Sequence, residues 1–445
     1  MRLIPDELQE KAIETMVNEE SGGTLLGAEM GSGKSLIVAE VILRREASTV
    51  LLICPLGTRV GWERTLRNQG YELPITRIDS SVQGKKNYAD MLANVPGTYL
   101  VGREYVRKLD LTKARPDIGV YDECQGFANR NSVSFKKMRT FKPNYRIAMS
   151  GTFYNNKFSG AWSVTRWLWP TVIDASFWRW VKQWCESVYD PFAGIKVVGE
   201  SDPGAFVTSL PSYIWIPADL DVDVVPMTWH VELSAQQRRM YEDMQRDLLV
   251  WLGDNPLVAD LPITMRTRLR QMTLGTVSLD EEGGVGFDLD CKSSKIDALK
   301  EILSTMDDEP VLILTDSKRF ARVVDHRLGK DSAQWTGDTS QADRETLLTT
   351  FGRPGGPTRL VATISALGAG LDGLQHVCSK VIWLSRSEDN TMNQQVLKRL
   401  HRRGQKSHVT SIDIQAANTY DEGILNSLLS QTLAQRQTLT IKEAA

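Results

Sequence analysis

The stretch Ala28-Glu29-Met30-Gly31-Ser32-Gly33-Lys34-Ser35 decides the fold. A short apolar run at residues 24–27 leads into it, and residues 36–45 follow it with the pattern of a helix. Its two glycines let the backbone bend tightly and aim N–H groups at a polyphosphate. The Lys34 ammonium can reach the β- and γ-phosphates, and the Ser35 hydroxyl can bind Mg²⁺. The stretch therefore predicts a phosphate-binding loop between a strand and a helix; a glycine-rich turn without a ligand is the alternative.

Length and composition restrict the class of protein. The 445 residues are enough for two or three domains. With 53 basic and 55 acidic residues the net charge is −2, so any nucleic-acid surface must be local. The five cysteines include no C-x-x-C pair, which argues against a zinc site or a disulfide framework and favours a reducing compartment. Without a signal peptide or an apolar run of about 20 residues, an intracellular protein is expected, cytoplasmic in a bacterial or phage-infected cell.

The order of apolar runs predicts an α/β fold with two parallel sheets flanked by helices. Short β-rich runs alternate with helix-like stretches in two blocks, at 50–55, 98–102, 118–121 and 145–150, and again at 310–315, 358–363, 380–384 and 409–414. We expect a first lobe at 1–229, with a tryptophan-rich helical extension over about 158–229. A helical inter-lobe region is expected at 230–290 and a second lobe at 291–445.

Six of the twelve tryptophans lie close together, at positions Trp162, Trp167, Trp169, Trp178, Trp180 and Trp184. Their spacing suits amphipathic helices, in which aromatic side chains usually pack a core. Stacking on nucleic acid is the alternative, and it requires rings exposed beside a basic groove. The spacing favours core packing.

Residues 118–125 form an apolar run that ends in the two carboxylates Asp122 and Glu123. Behind a phosphate-binding loop, the first can hold Mg²⁺ or orient Ser35, and the second can polarise the water that attacks a γ-phosphate. A solvated turn after a strand is the alternative. The separation of about ninety residues from Lys34, in an α/β pattern, favours the catalytic interpretation.

A second group of candidate residues lies near the C-terminus. Residues 394–403 have a helical pattern that places Arg399 and Arg402 three apart on one face. Two guanidiniums on one face suit capture of the charge that builds on a γ-phosphate, whereas a basic solvated helix end is the alternative. Upstream, residues 367–372 offer a flexible turn and the carboxylate of Asp372.

In this order the motifs resemble the Swi/Snf-type branch of superfamily 2 DNA translocases over nearly the whole chain. Gln9 occupies the place of that family's adenine-reading glutamine, and residues 27–35 are similar to its first motif. Asp122-Glu123-Cys124-Gln125 looks like its D-E-A-H stretch, and Ser150-Gly151-Thr152 like its S/T-G-T-P signature with Asn155 and Asn156 behind it. The segment from Gln395 to Gln405, including His401-Arg402-Arg403-Gly404, is the most specific match.

The resemblance implies two RecA-like lobes that close on ATP and Mg²⁺. It implies these catalytic residues: Lys34, Asp122, Glu123, Arg399 and Arg402, the last two acting as arginine fingers. It implies these nucleotide contacts: Gln9, Glu29, Met30, Gly31, Ser32, Gly33, Lys34 and Ser35. To these the turn at 367–372 adds Gly370 and Asp372, which suit ribose or lobe contacts. Mg²⁺ would be held by Ser35 and Asp122. Coupling to the polymer would involve Gln125, Ser150, Gly151, Thr152 and Gln395.

Four positions depart from the family pattern. Cys124 and Gln125 replace the usual Ala and His, Phe153 replaces Pro, and Lys398 stands where Gly usually precedes the first finger. Because no departure removes a catalytic group, we expect an active ATPase.

Basic side chains predict where a nucleic-acid backbone would lie. Residues 130–146 carry six basic and no acidic side chains, and residues 103–115 form a second basic stretch. Contacts are expected from Arg103, Lys136, Lys137 and Arg139, and the resemblance implies a further contact at Pro55, in a segment similar to the one that touches a phosphate backbone in the family. Such side chains follow phosphates without reading sequence, and solvated helix faces are the alternative.

The expected function is that of an ATP-dependent DNA translocase or helicase that moves on duplex or branched DNA. It would remodel forks, junctions or bound proteins, without a membrane partner and with accessory replication or recombination proteins as candidate partners. A strand-separating helicase on DNA or RNA is one alternative. A nucleotide-gated nucleic-acid-binding switch is the other.

Overall fold

The computed structural model describes residues 2–29, 31–154, 157–190, 194–217, 220, 222–252, 255–258, 262–279, 284–368 and 373–440. The chain divides into two compact units. The first contains Met1–Asp219 and Thr432–Ala445, and the second contains Leu220–Gln431. Each unit has one large parallel sheet flanked by helices, which confirms the predicted fold class.

The first unit is built on a seven-stranded parallel sheet in the order β3-β4-β2-β5-β6-β1-β9. Its strands are β1 Gly23–Ala28, β2 Thr49–Cys54, β3 Ile75–Ile78, β4 Gly97–Gly102, β5 Ile118–Asp122, β6 Tyr145–Ser150, β7 Cys185–Asp190, β8 Gly194–Glu200 and β9 Tyr213–Ile216, of which β7 and β8 form a separate antiparallel hairpin. Its helices are α1 Glu7–Val17, α2 Lys34–Arg44, α3 Arg59–Asn68, α4 Val82–Leu92, α5 Arg103–Val106, α6 Val133–Thr140, α7 Ala161–Leu168, α8 Phe177–Trp184 and α9 Ala205–Ser209.

Both faces of the first sheet are buried, which is why its central strands read as continuous apolar runs. Leu51 and Ile53 of β2 face one buried cluster, and Val50 and Leu52 face the other, because successive side chains point to opposite faces. Helices α1, α2 and α3 cover the second of these faces. The parallel strands bring all their carboxyl ends to one edge of the sheet.

The tryptophan-rich region is only partly helical. Trp162, Trp167, Trp169 and Trp180 are all buried, and Trp184 packs against the same cluster, so core packing is correct for five of the six. Trp178 is 49% exposed. The predicted helical extension also contains strands: β7 and β8 form the hairpin, and β9 extends the first sheet.

The second unit is built on a six-stranded parallel sheet in the order β10-β19-β18-β15-β17-β16. The remaining strands are β10 Val224–Val231, β11 Leu249–Leu252, β12 Asn255–Val258, β13 Ser278–Leu279, β14 Val285–Gly286, β15 Val311–Thr315, β16 Ser332–Trp335, β17 Arg359–Thr363, β18 Lys380–Trp383 and β19 Val409–Ala416. The remaining helices are α10 Ala235–Asp247, α11 Pro262–Leu274, α12 Ser294–Ser304, α13 Lys318–Leu328, α14 Gln341–Thr350, α15 Ile364–Gly368, α16 Asn390–Leu397 and α17 Tyr420–Thr440.

The second unit begins at Leu220, before the boundary expected between residues 229 and 230. Strand β10 crosses that boundary because it pairs in parallel with β19 along its whole length. Residues 230–290, expected to be helical, contain α10 and α11 and also two short antiparallel hairpins, β11–β12 and β13–β14. None of the described helices combines the length and apolar character needed to span a bilayer.

Candidate nucleotide-binding and hydrolysis site

The predicted phosphate-binding loop joins β1 to α2 and depends on its two glycines. Gly31 and Gly33 have φ values of 89° and 88°, a region that disfavours residues with a side chain. A Cβ atom at Gly33 would also lie 2.3 Å from Nε2 of Gln9. The positive φ is what requires glycine at position 33, and a side chain there would also displace the Gln9 amide.

Gln9 fixes the loop to the first turn of α1. Its Nε2 donates to the carbonyl of Ser32 at 2.9 Å, and its Oε1 accepts from the backbone N–H of Asp6 at 3.0 Å. The Asp6 carboxylate in turn accepts from the Gln9 backbone N–H at 2.9 Å, which completes a capping box. A glutamine amide has a second N–H and a second lone pair, so these bonds leave the chemistry needed to read adenine.

The Lys34 ammonium lies inside the loop. Its Nζ donates to the carbonyls of Ala28 at 2.7 Å and of Glu29 at 3.1 Å. Its positive charge also acts on Asp122, whose pKa it lowers against two larger opposing effects. Loop and carboxylate thus form one electrostatic site, as the sequence predicts for a phosphate-binding loop paired with an acidic strand end.

Asp122 ends β5 and is a buried carboxylate held by an indole. Burial first, and then the neighbouring Glu123 carboxylate, raise the pKa of Asp122 to about 6. The Nε1 of Trp62, a fully buried residue of α3, donates to Asp122 Oδ2 at 3.0 Å and opposes this increase. A carboxylate short of compensating charge fits a divalent cation, so the residue suits the predicted Mg²⁺ role.

Glu123 is held in a strained backbone conformation. Its φ of 55° is in the left-handed region, which costs a non-glycine residue about 1–2 kcal/mol. Its Oε2 accepts from Gln125 Nε2 at 2.7 Å. The Ser150 hydroxyl lies 2.6 Å from Gln125 Oε1 and accepts from the Thr152 backbone N–H at 3.0 Å. Gln125 therefore connects the acidic pair to the end of β6 through a group that does not titrate.

The structure brings together the predicted residues of the first unit. The carboxyl ends of β1, β5 and β6 meet at one sheet edge, where a Cβ on Gly151 would lie 3.3 Å from the Ala28 carbonyl. This edge carries the predicted residues Gln9, Glu29, Gly31, Ser32, Gly33, Lys34, Ser35, Asp122, Glu123, Gln125, Ser150, Gly151 and Thr152. Met30, Asn155 and Asn156 lie outside the described residues.

The predicted arginine fingers belong to the second unit, where the helical prediction is wrong beyond Leu397. Helix α16 ends there, and the chain continues in turns in which the Arg399 N–H donates to the Val396 carbonyl at 3.0 Å. Arg399 is 8% exposed, and Arg402 is half-buried. Arg399 and Arg402 therefore do not share a helix face, and turns position their guanidiniums. Gln395 lies on α16, and Gly370 and Asp372 lie outside the described residues.

The predicted nucleic-acid contacts all lie in the first unit. Pro55 follows β2 and Arg103 begins α5 directly after β4, so both lie at the carboxyl edge of adjacent strands. Lys136 and Arg139 are exposed on α6, and Lys137 is half-buried there. Arg107 Nε donates to Ser134 Oγ at 3.0 Å and links the α5 segment to α6.

The SNF2-related domain matches residues 8–273, more than half of the chain. The chain belongs to the SNF2-related family. In this SNF2-related chain, the helicase conserved C-terminal domain matches residues 294–404. The family predicted from the motifs is therefore confirmed.

The chain is similar to longer proteins. It is 22% identical over 431 residues to an uncharacterized ATP-dependent helicase of Mycoplasma genitalium, covering 93% of this chain and 40% of the relative. It is 22% identical over 436 residues to the putative ATP-dependent helicase/translocase YwqA of Bacillus subtilis, and this match covers 91% of this chain and 45% of the relative. It is 25% identical over 309 residues to the ISWI chromatin-remodeling complex ATPase CHR17 of Arabidopsis thaliana, and this match covers 65% of this chain and 28% of the relative.

The chain thus spans less than half the length of these curated relatives. Among solved structures, it matches the Sulfolobus solfataricus SWI2/SNF2 ATPase core in complex with dsDNA. That match has a TM-score of 0.45 and 18% identity, and it covers 100% of this chain and 96% of the other.

Proposed function

We propose that this SNF2-related chain is a DNA-dependent ATPase that uses ATP and Mg²⁺ to translocate on duplex or branched DNA. The observation that carries the proposal is the site at the carboxyl edge of the first sheet. There a glycine-dependent loop, its lysine, a buried carboxylate and a strained acidic residue lie together. A switch that only binds nucleotide would not need the hydrolytic residue Glu123.

The first unit has the donors that a nucleoside triphosphate needs. Loop N–H groups and the N-terminus of α2 would face the phosphates, and Lys34 would exchange its two carbonyl contacts for phosphate oxygens. Ser35 and Asp122 would hold Mg²⁺, which when bound neutralises charge on the phosphates. Gln9 would read the adenine.

Glu123 would orient and polarise the attacking water. Its carboxylate is already fixed by Gln125, and its strained backbone sets the direction of the side chain. The link from Gln125 to Ser150 and Thr152 would report the state of the site to the end of β6. We infer that this link couples hydrolysis to the nucleic acid.

Arg399 and Arg402 would stabilise negative charge in the transition state. A finger of this kind contributes about 10³-fold or more to turnover. Arg399 is nearly buried, so little side-chain entropy remains to be lost when it acts. This role requires ATP held by the first unit and guanidiniums supplied by the second.

DNA would be gripped through its phosphates. Pro55, Arg103, Lys136, Lys137 and Arg139 are the proposed contacts, and they would read no sequence. Repeated closing and opening of the two units around ATP would move the gripped backbone and remodel forks, junctions or bound proteins. The relatives named as helicase/translocase and chromatin-remodeling ATPase support this class of activity.

Steady-state ATP hydrolysis with different polymers tests the proposal. Turnover should rise with blunt duplex DNA and more weakly with single strands or RNA. Lys34→Ala should abolish turnover on every polymer and leave DNA binding intact, which separates this activity from a contaminant. Stimulation by single strands or RNA alone would support a strand-separating helicase instead. Absence of stimulation by any polymer would support a nucleotide-gated switch.

A further inference from the structure

We propose that Arg130, Phe177 and Trp178 form a stacking site for an unpaired nucleic-acid base on the first unit. We call these three residues the Trp178 surface. The proposal rests on the DNA-dependent activity proposed above and names a feature of the substrate. The ligand that we infer is DNA with unpaired bases, such as the single-stranded arm of a fork.

Trp178 differs from the other five clustered tryptophans by its exposure. On α8 the buried side chains are Trp180 and Val181, whereas Trp178 is 49% exposed. Because α8 is anchored by its buried side, the exposed indole is not required for its packing. A single exposed aromatic residue is ordinary, so its surroundings must decide what it does.

Arg130 covers the aromatic pair from a different part of the chain. Its guanidinium carbon lies 4.2 Å from the ring centroid of Phe177 and 5.6 Å from that of Trp178. Arg130 lies between the acidic pair Asp122-Glu123 and α6, and it is exposed. A cation–π contact of this kind holds the loop against α8 and orients a charged group at the edge of the indole.

Phe177 links the exposed indole to the core. Phe177 contacts Trp178 at 5.1 Å between centroids and the buried Trp162 at 5.5 Å. Trp162 in turn contacts Phe135 of α6 at 5.4 Å. An exposed indole held in this way loses little conformational freedom when a flat partner stacks on it, which favours binding.

The charges near the Trp178 surface favour a polyanion over an apolar protein segment. The loop and α6, which contact α8 through Arg130 and through Phe135 and Trp162, also carry the exposed Lys136 and Arg139, and residues 130–142 contain no acidic side chain. On α8, Lys182 is exposed, and Arg179 pairs with Asp174 at 3.3 Å. Basic side chains beside an exposed aromatic ring are a combination that binds single-stranded nucleic acid.

Geometry selects an unpaired base over a base pair. Inside a duplex the face of each base is covered by its neighbours, so an indole gains stacking only from a base that has left the stack. A duplex would offer Arg130 phosphates but would offer Trp178 nothing to stack on. The Trp178 surface should therefore add affinity for forked DNA and not for blunt duplex.

The test compares two DNA substrates with the full chain. Binding to a fork with a single-stranded arm and to a blunt duplex of equal length is measured by anisotropy, for the native chain and for Trp178→Ala. For Trp178→Ala we expect the affinity for the fork to fall about tenfold or more, which is the loss expected for one stacking residue. The affinity for the duplex should change less than about twofold. Trp178→Phe should retain most of the fork affinity, because it keeps an aromatic face.

Trp229→Ala is the matched control, since Trp229 is a second exposed tryptophan, 38% accessible and in the second unit. An unchanged fork affinity in Trp178→Ala would overturn the proposal, and so would an equal loss of affinity for both substrates or an equal loss in Trp229→Ala.

Circular dichroism of each variant checks folding, and Trp178→Phe provides the comparison should the alanine variant misfold. If duplex DNA stimulates hydrolysis by the native chain but Trp178→Ala binds forks normally, this inference alone fails. If no DNA stimulates hydrolysis, the proposed function fails.

Discussion

Replacing Trp62 by Phe should weaken Mg²⁺ use without removing any predicted ligand. The change keeps an aromatic ring in the core and deletes the indole N–H that donates to Asp122 Oδ2 at 3.0 Å. A hydrogen bond to a charged group is worth about 1.5–3 kcal/mol, which corresponds to at least about a tenfold change in an equilibrium constant. Without this donor the ionised carboxylate is less stable, so the pKa of Asp122 should rise further.

Two assays follow the effect of Trp62→Phe. The Mg²⁺ concentration for half-maximal hydrolysis should increase about tenfold, and the acid limb of the pH profile should move upward by about one pH unit. Binding of a fluorescent ATP analogue should weaken when Mg²⁺ is present and stay nearly unchanged in EDTA. The second readout does not depend on turnover.

Trp167→Phe is the control for Trp62→Phe. Trp167 is also buried in the first unit, and its indole donates to the Phe141 carbonyl at 3.2 Å, away from the site. It should lose a comparable amount of stability and keep the native Mg²⁺ requirement. The Trp62 indole does not support Mg²⁺ binding through Asp122 if Trp62→Phe keeps the native Mg²⁺ requirement and pH profile, or if both variants change them equally.

Two further substitutions test other parts of the site. Arg399→Ala should reduce turnover by about 10³-fold or more while ATP affinity changes little, and equal losses of binding and turnover would assign Arg399 a structural role instead. Asp122→Asn should stabilise the nucleotide-free protein at pH 7.5. The pKa of Asp122 is raised from 3.8 to about 6, so its contribution to stability is complete below pH 3.8 and is lost as pH rises through 6. The gain should be largest at pH 7.5 and vanish toward pH 4, as measured by urea unfolding, and a pH-independent difference would contradict this cause.

Structural features that depend on neighbouring residues in the chain could be predicted from the sequence. The phosphate-binding loop could be predicted because its positive φ angles require glycine at positions 31 and 33, and the lysine follows directly. The inner strands of both sheets could be predicted because strands buried on two faces are apolar throughout. The partly exposed strands β3, β9, β10 and β16 lack this pattern and are not predicted from the sequence. The acidic pair followed from its place at the end of such a strand.

Other features depend on contacts between distant residues. The bond from Trp62 to Asp122 joins side chains sixty positions apart through the packing of α3, and no local pattern indicates it. Strand β10 contains Pro226, which argues against a central strand but is tolerated in this edge strand. Helix α16 ends at Leu397 although the first glycine comes at position 404, so the surrounding fold and not a local breaker ends it.

In the proposed function, the first unit hydrolyses ATP under the control of DNA. Steady-state hydrolysis with and without blunt duplex DNA, compared between the native chain and Glu123→Gln, tests it most directly. Native turnover should be stimulated by duplex, and Glu123→Gln should bind ATP and DNA but show no stimulated turnover. Native turnover that ignores DNA, or stimulated turnover that survives in Glu123→Gln, would contradict the claim.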